Sequence, residues 1–365
     1  MIRFTENASL LPYNTFGLKA QAALLVEYDH EDDLPHIFQD PRVKGKPFLH
    51  VGQGSNLLFT ADYPGVILHG NIKGIKFQGT TDDEQMVEIG AGETWDSICD
   101  WAAIRGFMGI ENLSGIPGEV GAAAVQNIGA YGAEFKDVCV AVAVYDVVQN
   151  KHFIIGVEEC RYGYRTSIFK DPEFKSRFIV TSVLLRLRTK GLFNIEYGNI
   201  KAALLERGYS LQQKDQHTSR RKPAPVTRPI TLTAMRETIL AIRSAKLPDP
   251  AVYGNAGSFF KNPVVRILKY RALSSQYPNM PCYQVLNAKG EADPEWVKIP
   301  AGWLIEHSGC TSRRVGDAAV YPKQCLVLVN MGKAKAEEVV QLSRIIVETV
   351  KDRFDVQLEP EVNFI

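Results

Sequence analysis

Short apolar runs that end in glycine follow one another through the first half of the chain. Three lie at 47–59, 65–70 and 86–93, and two longer apolar runs lie at 138–148 and 178–188. Apolar runs of this length, closed by glycine or polar residues, are typical of β-strands that lead into loops. The pattern therefore predicts several strands separated by turns.

One helix interrupts these strands. It begins near Thr94, which suits the N-cap position, and it places Trp95, Ile98 and either Trp101 or Ala102 on one face. A stripe of this kind more often faces a protein core than a cofactor. We therefore predict an amphipathic helix that packs against the strands.

Two further helices are predicted in the second half of the chain. The first covers 233–247 and ends before Pro248, because the residue before a proline is disfavoured in a helix. The second covers 334–354, and one of its faces is formed by Val339, Leu342, Ile346 and Val350. The final segment, 355–365, has a strand-like pattern. The elements together predict an α+β fold in at least two layers.

Composition narrows the class of protein. The chain has 365 residues, of which 45% are hydrophobic and 23% charged, and this predicts a globular protein of two or three domains. The net charge of +1 gives no overall field that would attract nucleic acid or an anionic membrane. The polar, basic stretch 206–229 is interpreted as a long, mobile surface loop or linker. Because the net charge is small, an anionic substrate would have to be held by local groups.

The cysteines and histidines argue against a metal centre. The six cysteines form no C-x-x-C pair and lie mostly in apolar segments, as buried residues in a reducing compartment do. The seven histidines show no H-x-x-x-H spacing. Neither a membrane span nor a signal peptide is recognisable in the sequence. We expect a cytoplasmic protein with no metal ligand set.

A glycine loop at 51–56 is the first candidate for ligand binding. Gly52 and Gly54 follow an apolar strand and are followed by Ser55 and Asn56. Glycine lets a backbone approach a ligand closely, and successive N–H groups in such a turn form an anion site. The third glycine of the dinucleotide fingerprint is missing and no helix is predicted to follow. By itself the loop fits a phosphate cradle and a tight turn equally well.

Two more glycine loops change this balance. One begins at Gly90, and the other, 115–135, contains five glycines that surround the polar Gln126 and Asn127. Small residues also permit close packing of a turn or a helix, so the longer segment has a structural interpretation as well. Three such loops in one chain favour cofactor binding, with a backbone wrapped around a large flat ligand.

At this point the sequence resembles a known family, the UDP-N-acetylenolpyruvoylglucosamine reductases. The matching blocks follow the order of the family along nearly the whole chain. They are PYNTFG (12–17), VGQGSN (51–56), GAGE (90–93), IPGEVGAAAVQNIGAYG (116–132), ECRYGYRTSIFK (159–170), KLPDP (246–250), GNAGSFFKNP (254–263), AGWLIE (301–306) and LEPEV (358–362). The combination of GSFFKNP with a terminal EPEV is the most specific of these signals.

The resemblance implies a fold and a reaction. The fold is α+β, with a two-subdomain FAD-binding module of the vanillyl-alcohol-oxidase type and a C-terminal α+β substrate-binding domain. The implied domains are 1–70 with the tail from about 337, 71–228 and 229–336. NADPH would reduce FAD, which would then reduce the enolpyruvyl ether of UDP-N-acetylglucosamine to UDP-N-acetylmuramate for peptidoglycan. We expect a monomer that binds no nucleic acid and no membrane.

The resemblance also implies roles for particular residues. Ser258 corresponds to the proton donor, Arg165 and Glu361 to the pair that stabilises the enolate, and Tyr164 lines the same pocket. The substrate would be bound by Tyr131, Tyr197, Lys246, Asn262 and Gln324, and Tyr197 places the sequence in the class with a mobile loop. The FAD-binding positions would be Gly52, Gln53, Gly54, Ser55, Asn56, Gly90, Gly92, Ile116, Pro117, Gly118, Gly121, Ala122, Gln126, Asn127 and Arg243.

Several of these assignments have a structural alternative. Ser258 would cap a turn, Glu361 would be an exposed tail carboxylate, and Arg243 would bind the last carbonyls of a helix. Two other functions use the same features: an oxidase on the same flavin scaffold, and a non-catalytic protein that binds flavin or a UDP-sugar. Relatives often carry serines where this chain has GAAAVQN, so backbone N–H groups would replace those hydroxyls as flavin contacts.

Overall fold

The computed structural model describes residues 1–212, 228–286 and 291–365. The chain forms two compact units, and each unit takes residues from separate parts of the sequence. Unit 1 comprises Met1–Ala8, Ala22–Gln53 and Pro64–Ala245, and unit 2 comprises Ser9–Gln21, Gly54–Tyr63 and Lys246–Ile365. The domain boundaries suggested by the resemblance remain a prediction.

The described residues form both strands and helices along the whole chain. The strands are β1 (Arg3–Ser9), β2 (Gln21–Tyr28), β3 (Phe48–His50), β4 (Leu57–Leu58), β5 (Tyr63–Gly70), β6 (Ile75–Thr80), β7 (Glu84–Gly90), β8 (Gly129–Ala130), β9 (Ala133–Glu134), β10 (Cys139–Asp146), β11 (Lys151–Gly156), β12 (Phe178–Arg188), β13 (Gly254–Ser258), β14 (Val264–Arg266), β15 (Tyr283–Leu286), β16 (Ala292–Lys298), β17 (Arg314–Val315), β18 (Ala318–Val320), β19 (Val327–Asn330) and β20 (Asn363–Phe364). The α-helices are α1 (Leu34–Gln39), α2 (Trp95–Arg105), α3 (Val120–Gln126), α4 (Ile200–Glu206), α5 (Leu232–Lys246), α6 (Ile267–Gln276), α7 (Ala301–His307) and α8 (Ala336–Phe354).

A five-stranded antiparallel sheet is the centre of unit 1. Its order is β11-β10-β12-β7-β6, and Val183 of β12 lies opposite both Val142 of β10 and Ile89 of β7. The prediction of a strand over 178–188 is confirmed, because β12 occupies this range. The buried faces of these strands form one core with α2 and α3.

Helix α2 confirms the predicted apolar face. Trp95, Ile98 and Ala102 are buried, whereas Trp101 is only half-buried. Thr94 occupies the N-cap position, but its side chain does not cap the helix. Its hydroxyl instead accepts a hydrogen bond from Gln53 Nε2 at 3.2 Å.

A second sheet of unit 1 has the order β1-β2-β5-β3. Strands β3 and β5 are parallel, with Leu49 opposite Ile67, and α1 belongs to the same hydrophobic core. Because β3 leads directly into the loop 51–56, the sheet fixes where that loop begins.

Unit 2 is built from smaller sheets and helix α8. The sheets have the orders β13-β19-β18-β17 and β14-β16-β15, and β20 pairs in parallel with β4. The predicted apolar face of α8 is confirmed, because all four of its residues are fully buried in the core of unit 2, namely Val339, Leu342, Ile346 and Val350.

Two sequence-based predictions are wrong. The tail 355–365 is not one strand, since only Asn363–Phe364 is in a strand. Val356, Leu358 and Val362 are buried in the core, and Pro360 has no N–H with which to continue a ladder. Segment 115–135 is not a continuous loop, because α3 occupies its middle.

Other expectations have mixed outcomes. Cys99, Cys139, Cys160 and Cys310 are buried as expected, whereas Cys282 is exposed. Glu206 ends α4, a helix that the sequence reading missed, and most of the predicted 206–229 loop lies outside the described residues. No helix among the described residues is long and apolar enough to cross a membrane.

Candidate active site

The loop after β3 presents unpaired backbone donors in unit 1. The N–H groups of Gly52 and Gln53 donate to no acceptor among the described residues. The side chain of Gln53 is held by Thr94, so its backbone orientation is fixed. Two successive N–H groups in a turn form a small anion site, and this arrangement fits one phosphate group of a dinucleotide.

The remainder of this loop lies in unit 2 and has a structural function. Gly54 has φ of +67°, and a methyl group at this position would overlap the carbonyl oxygen of Tyr13. Asn56 uses its Nδ2 group to donate to the carbonyl of Glu361 at 3.2 Å. Ser55 lies between them and is half-buried. Gly54 is thus required by the fold itself.

Gly90 and Gly92 are required by close backbone contacts in unit 1. A methyl group on Gly92 would lie 2.7 Å from the carbonyl oxygen of Gly70, and one on Gly90 would overlap that of Ile72. These glycines therefore bring the 70–74 backbone against the end of β7. Their assignment to FAD binding remains a prediction.

The segment 116–122 packs against the same backbone. Val120 N–H donates to Glu93 O and Gly121 N–H to Ala91 O, and a methyl group on Gly121 would lie 3.0 Å from Ala91 Cβ. Gly118 has φ of +115°. The predicted FAD-binding residues Ile116, Pro117 and Ala122 flank these contacts; Ile116 and Ala122 are half-buried, and Pro117 is exposed.

Gln126 and Asn127 are used inside the protein. Gln126 Oε1 accepts a hydrogen bond from Lys170 Nζ at 2.9 Å. Asn127 is buried, has φ of +43° and caps α3, while its Nδ2 donates to Glu134 and to Gly163 O. Their polar groups therefore hold α3 against the segment that carries Arg165.

Tyr164 and Arg165 occupy a tight turn closed by two hydrogen bonds between Gly163 and Thr166. Arg165 has φ of +57°, which is uncommon for a residue with a Cβ. Its Nη2 donates to Gly129 O at 2.7 Å, and the guanidinium lies 5.4 Å from the ring centroid of Tyr164. Strained backbone of this kind is concentrated at functional sites.

Three further predicted residues meet in unit 1. Tyr131 lies at the tip of the β8–β9 hairpin, and its ring makes an edge contact with that of Tyr197, with centroids 6.5 Å apart. Arg243 lies close enough to the Tyr131 hydroxyl to act on its pKa, and burial lowers the pKa of Arg243 itself. Arg243 Nε also donates to Gly115 O at 3.2 Å. The structure thus joins α5 to the hairpin.

An ion-pair network that the sequence reading missed supports this group. Arg236 donates to Asp96 at 2.5 and 2.9 Å and to Asp100 at 3.0 Å, and Asp96 also accepts the N–H of Gly115 at 2.5 Å. Arg236 and Asp96 lie in helical stretches far apart in sequence, so spacing gave no signal of their contact.

Ser258 and Glu361 are brought together in unit 2. Ser258 ends β13 after a bulge in which Gly257 has φ of +70°, and its side chain is exposed. Its hydroxyl has no hydrogen-bond partner among the residues described. Glu361 N–H donates to Phe259 O at 2.8 Å, and Phe260 forms a bridge with Pro360. The turn-capping alternative for Ser258 is not supported.

The predicted substrate-binding residues of unit 2 do not form one cluster of contacts. Asn262 Oδ1 accepts the N–H of Ala301 at 2.9 Å, which fixes the start of α7. Gln324 Oε1 accepts that of Leu326 at 3.4 Å. Lys246, the last residue of α5, is exposed.

Glu119 was not predicted as a site residue from the sequence, although it is the only charged residue in the segment 116–132. Burial raises its pKa to about 7, and Lys73 acts in the opposite direction. A carboxyl group with such a pKa is a recognised indication of a functional site.

Comparison with known proteins defines first the class and then the family. Residues 22–150 match the profile of the FAD binding domain, which identifies a flavin-binding fold in this part of the chain. Residues 249–365 match the C-terminal domain of UDP-N-acetylenolpyruvoylglucosamine reductase. Together they confirm the expected α+β architecture of an FAD-binding module followed by a C-terminal domain.

Relatives that match nearly the full length of the chain support the same family. The chain is 45% identical over 360 residues to the UDP-N-acetylenolpyruvoylglucosamine reductase of Bacteroides fragilis (strain YCH46), with 99% of each chain covered. It is 42% identical over 361 residues to that of Chromobacterium violaceum, with 99% and 98% covered. The crystal structure of the Thermus caldophilus reductase covers 100% of this chain and 98% of its own, at 22% identity and a TM-score of 0.64. The chain belongs to the UDP-N-acetylenolpyruvoylglucosamine reductase family.

Proposed function

We propose that the protein uses NADPH and FAD to reduce the enolpyruvyl ether of UDP-N-acetylglucosamine to UDP-N-acetylmuramate. One observation carries this proposal beyond family membership. Ser258, the expected proton donor, has an exposed hydroxyl without a partner in the described residues, and the Glu361 backbone is paired beside it. A flavin- or sugar-binding protein without catalysis has no need for this arrangement.

The residues present fit FAD. Gly52 and Gln53 would offer two N–H groups to its diphosphate, and Arg243 would offer a cation to the flavin, as the resemblance implies. When bound, FAD would supply the hydride chemistry that links NADPH to the β-carbon of the enolpyruvyl group. The guanidinium of Arg243 would contribute a fixed positive charge to the flavin site.

Arg165 stabilises the negative charge that develops on the substrate. Hydride addition at the β-carbon places charge on the α-carbon and the carboxylate, as an enolate. A guanidinium remains charged and presents five donors in a planar fork. The hydrogen bond to Gly129 and the left-handed turn hold it in one orientation, so little reorganisation accompanies the reaction.

Ser258 completes the reduction by giving its hydroxyl proton to the α-carbon. The C=C electron pair of the enolate forms the new C–H bond, an oxygen lone pair restores the C=O bond of the carboxylate, and the serine recovers a proton from solvent. Because a serine hydroxyl is a weak acid, it needs a stabilised alkoxide or a proton supply. Glu361 acts beside it in stabilising the enolate.

The nucleotide part of the substrate is held by the residues named from the resemblance. Tyr131 and Tyr197 present an aromatic pair, and Tyr197 is 44% exposed, so part of its side chain is accessible to a ligand. Lys246 supplies a charge for the diphosphate, with Asn262 and Gln324 as polar partners. We further propose that the protein is a cytoplasmic monomer that serves peptidoglycan synthesis, as its family membership suggests.

Stopped-flow absorbance of the flavin under anaerobic conditions tests the function. NADPH should bleach the yellow protein, and the enolpyruvyl UDP-sugar should then restore the colour without oxygen. Reduction without reoxidation would reject the substrate and favour an oxidase. A protein that binds no flavin would reject the proposal entirely.

A further inference from the structure

Glu119 places an unpaired carboxyl group against the phosphate-binding turn. A methyl carbon on Gly52 would lie 2.7 Å from Glu119 Oε2 and 3.2 Å from its Cδ. Glu119 is only 8% exposed, and in the part of the chain that the structure describes its side chain makes no hydrogen bond. A buried carboxyl group without a partner is unfavourable when ionised, so a ligand group is the expected partner.

Among the described residues, Lys73 is the cation that acts on the Glu119 carboxyl group, and it does not form an ion pair with it. Lys73 Nζ instead donates to Gly92 O and lies 4.0 Å from Glu93. His50 is hydrogen-bonded to the Tyr28 hydroxyl at 2.9 Å, and burial lowers its pKa to about 3.

His69 and Tyr28 also provide no positive charge near Glu119 at neutral pH. His69 Nδ1 is 3.1 Å from Val51 O, and burial lowers the pKa of the ring. Burial raises the pKa of Tyr28, and Glu119 adds to that rise. The two imidazole rings and the phenol are therefore neutral at neutral pH. The carboxyl group of Glu119, with a pKa of about 7, is uncharged in about half of the molecules at that pH.

We propose that Glu119 binds the flavin diphosphate as a neutral carboxylic acid, donating its O–H to a phosphate oxygen beside the N–H groups of Gly52 and Gln53. This inference rests on the proposed use of FAD. A phosphate oxygen accepts a hydrogen bond from the neutral acid. An ionised carboxylate within hydrogen-bonding distance would repel the phosphate, and strongly so in a site of low dielectric constant. The proton comes from solvent. FAD binding therefore takes up a proton at any pH at which Glu119 is ionised in the flavin-free protein.

The consequence is a pH-dependent affinity of a definite sign. Below pH 7 the free protein already carries the proton, and affinity is constant. Above pH 7 each pH unit should weaken FAD binding by up to about tenfold, because the proton must first be regained. Between pH 6.5 and 8.5 the dissociation constant should therefore rise roughly twentyfold.

The test is titration of flavin-free protein with FAD, followed by flavin fluorescence over this pH range. Glu119→Gln keeps an N–H donor and loses the titration, so its affinity should be flat and exceed that of the wild type at pH 8.5. Glu93→Gln, which alters a neighbouring carboxylate that contacts Lys73, should keep the wild-type slope. Riboflavin, which has no phosphate, should show no Glu119-dependent slope.

Calorimetry in buffers of different ionisation enthalpy gives a second readout, which remains decisive if Glu119→Gln does not fold. Uptake of close to one proton is expected when the wild type binds FAD at pH 8.5. A flat wild-type profile, an unchanged slope in Glu119→Gln, or an equal slope with riboflavin would overturn the assignment of Glu119 while leaving FAD as the cofactor. Absence of FAD binding at every pH would overturn both.

Discussion

The backbone N–H of Glu361 donates a hydrogen bond to the carbonyl oxygen of Phe259 over 2.8 Å. Lys261 N–H donates to Glu359 O at 3.0 Å, so the segment after Ser258 runs antiparallel to the tail. The Phe259 ring is fully buried and makes edge contacts with Phe16 and Phe260. Ser258 and Glu361 are thus held in a fixed relation although they are distant in sequence.

Ser258→Ala tests the proton donor. We expect reoxidation of the reduced flavin by the enolpyruvyl substrate to slow by roughly a hundredfold or more. Flavin reduction by NADPH should keep its rate, because that step needs no proton from Ser258. Ser275→Ala, on the exposed face of α6, is the control in stopped-flow measurements. Equal slowing of both half-reactions would contradict the role.

Glu361→Gln and Glu361→Ala separate hydrogen-bond donation from simple side-chain presence. The amide keeps a donor and the original volume, whereas alanine removes both. The glutamine variant should therefore slow substrate reduction less than the alanine variant in single-turnover experiments. The reverse order would show that donation by residue 361 is not what the reaction uses.

Gly54→Ala should destabilise the protein strongly. Its φ of +67° and the overlap of a methyl group with Tyr13 O act together. Gly45 has a similar φ of +73° but no atom within 4 Å of an added methyl group, so Gly45→Ala isolates the backbone effect, which costs about 1–2 kcal/mol. Urea unfolding should show a clearly larger loss for Gly54→Ala, and equal losses would count against the close contact.

Asp96→Asn should weaken the attachment of α5. The ionised carboxylate binds Arg236 twice and also accepts the Gly115 N–H, so the loss should be roughly 1–3 kcal/mol of unfolding free energy. Asp100→Asn alters one contact of a more exposed carboxylate and should cost less than about 1 kcal/mol. Denaturation of both variants gives the comparison.

The effect of Asp96→Asn should also depend on pH. Burial acts to raise the pKa of Asp96, but the hydrogen bonds from Arg236 and Gly115 outweigh it, and the pKa is lowered. A lowered folded pKa stabilises the protein above the unfolded pKa, near 4, and this contribution is lost as the pH falls through the folded value. The gap between wild type and Asp96→Asn should therefore shrink in acid.

Glu119→Gln should stabilise the flavin-free protein at alkaline pH. The pKa of Glu119 is raised in the folded state, so its favourable contribution is fully present below the unfolded pKa and is lost as the pH rises to about 7. The variant should exceed the wild type by up to about 2 kcal/mol at pH 8.5, and the difference should vanish or reverse near pH 5. Urea midpoints at the two pH values measure it.

Local pattern was a good guide to the elements but not to the tail. The strand at 178–188 and the face of α8 follow from apolar periodicity, which depends only on neighbouring residues. Segment 355–365 has the same kind of pattern, yet Val356 and Leu358 are buried against distant side chains without pairing in a sheet. Periodicity shows that a residue is buried and not which group covers it.

The candidate site shows the same limit. The family motif selected Ser258, Arg165 and Glu361, and the structure gives each a defined setting. Several glycines predicted as cofactor contacts, such as Gly54 and Gly90, are also required by nearby backbone, and their contact with FAD stays a prediction. Glu119 stood out in the sequence only as the charged residue of the segment 116–132, because its significance comes from burial without a hydrogen-bond partner among the described residues, which only three-dimensional packing reveals.

The parallel pairing of β4 with β20 has a consequence for biosynthesis. Leu57 and Leu58 align with Asn363 and Phe364, and the Thr60 N–H donates to the Ile365 carbonyl at 2.8 Å. Translation proceeds at about 5–20 residues per second, so these early residues leave the ribosome on the order of tens of seconds before their partners exist. During that interval the apolar side chains of Leu58 and Phe16 have no core to enter. Unit 2 must therefore finish folding after its last residues are released, and the nascent chain is exposed to aggregation until then.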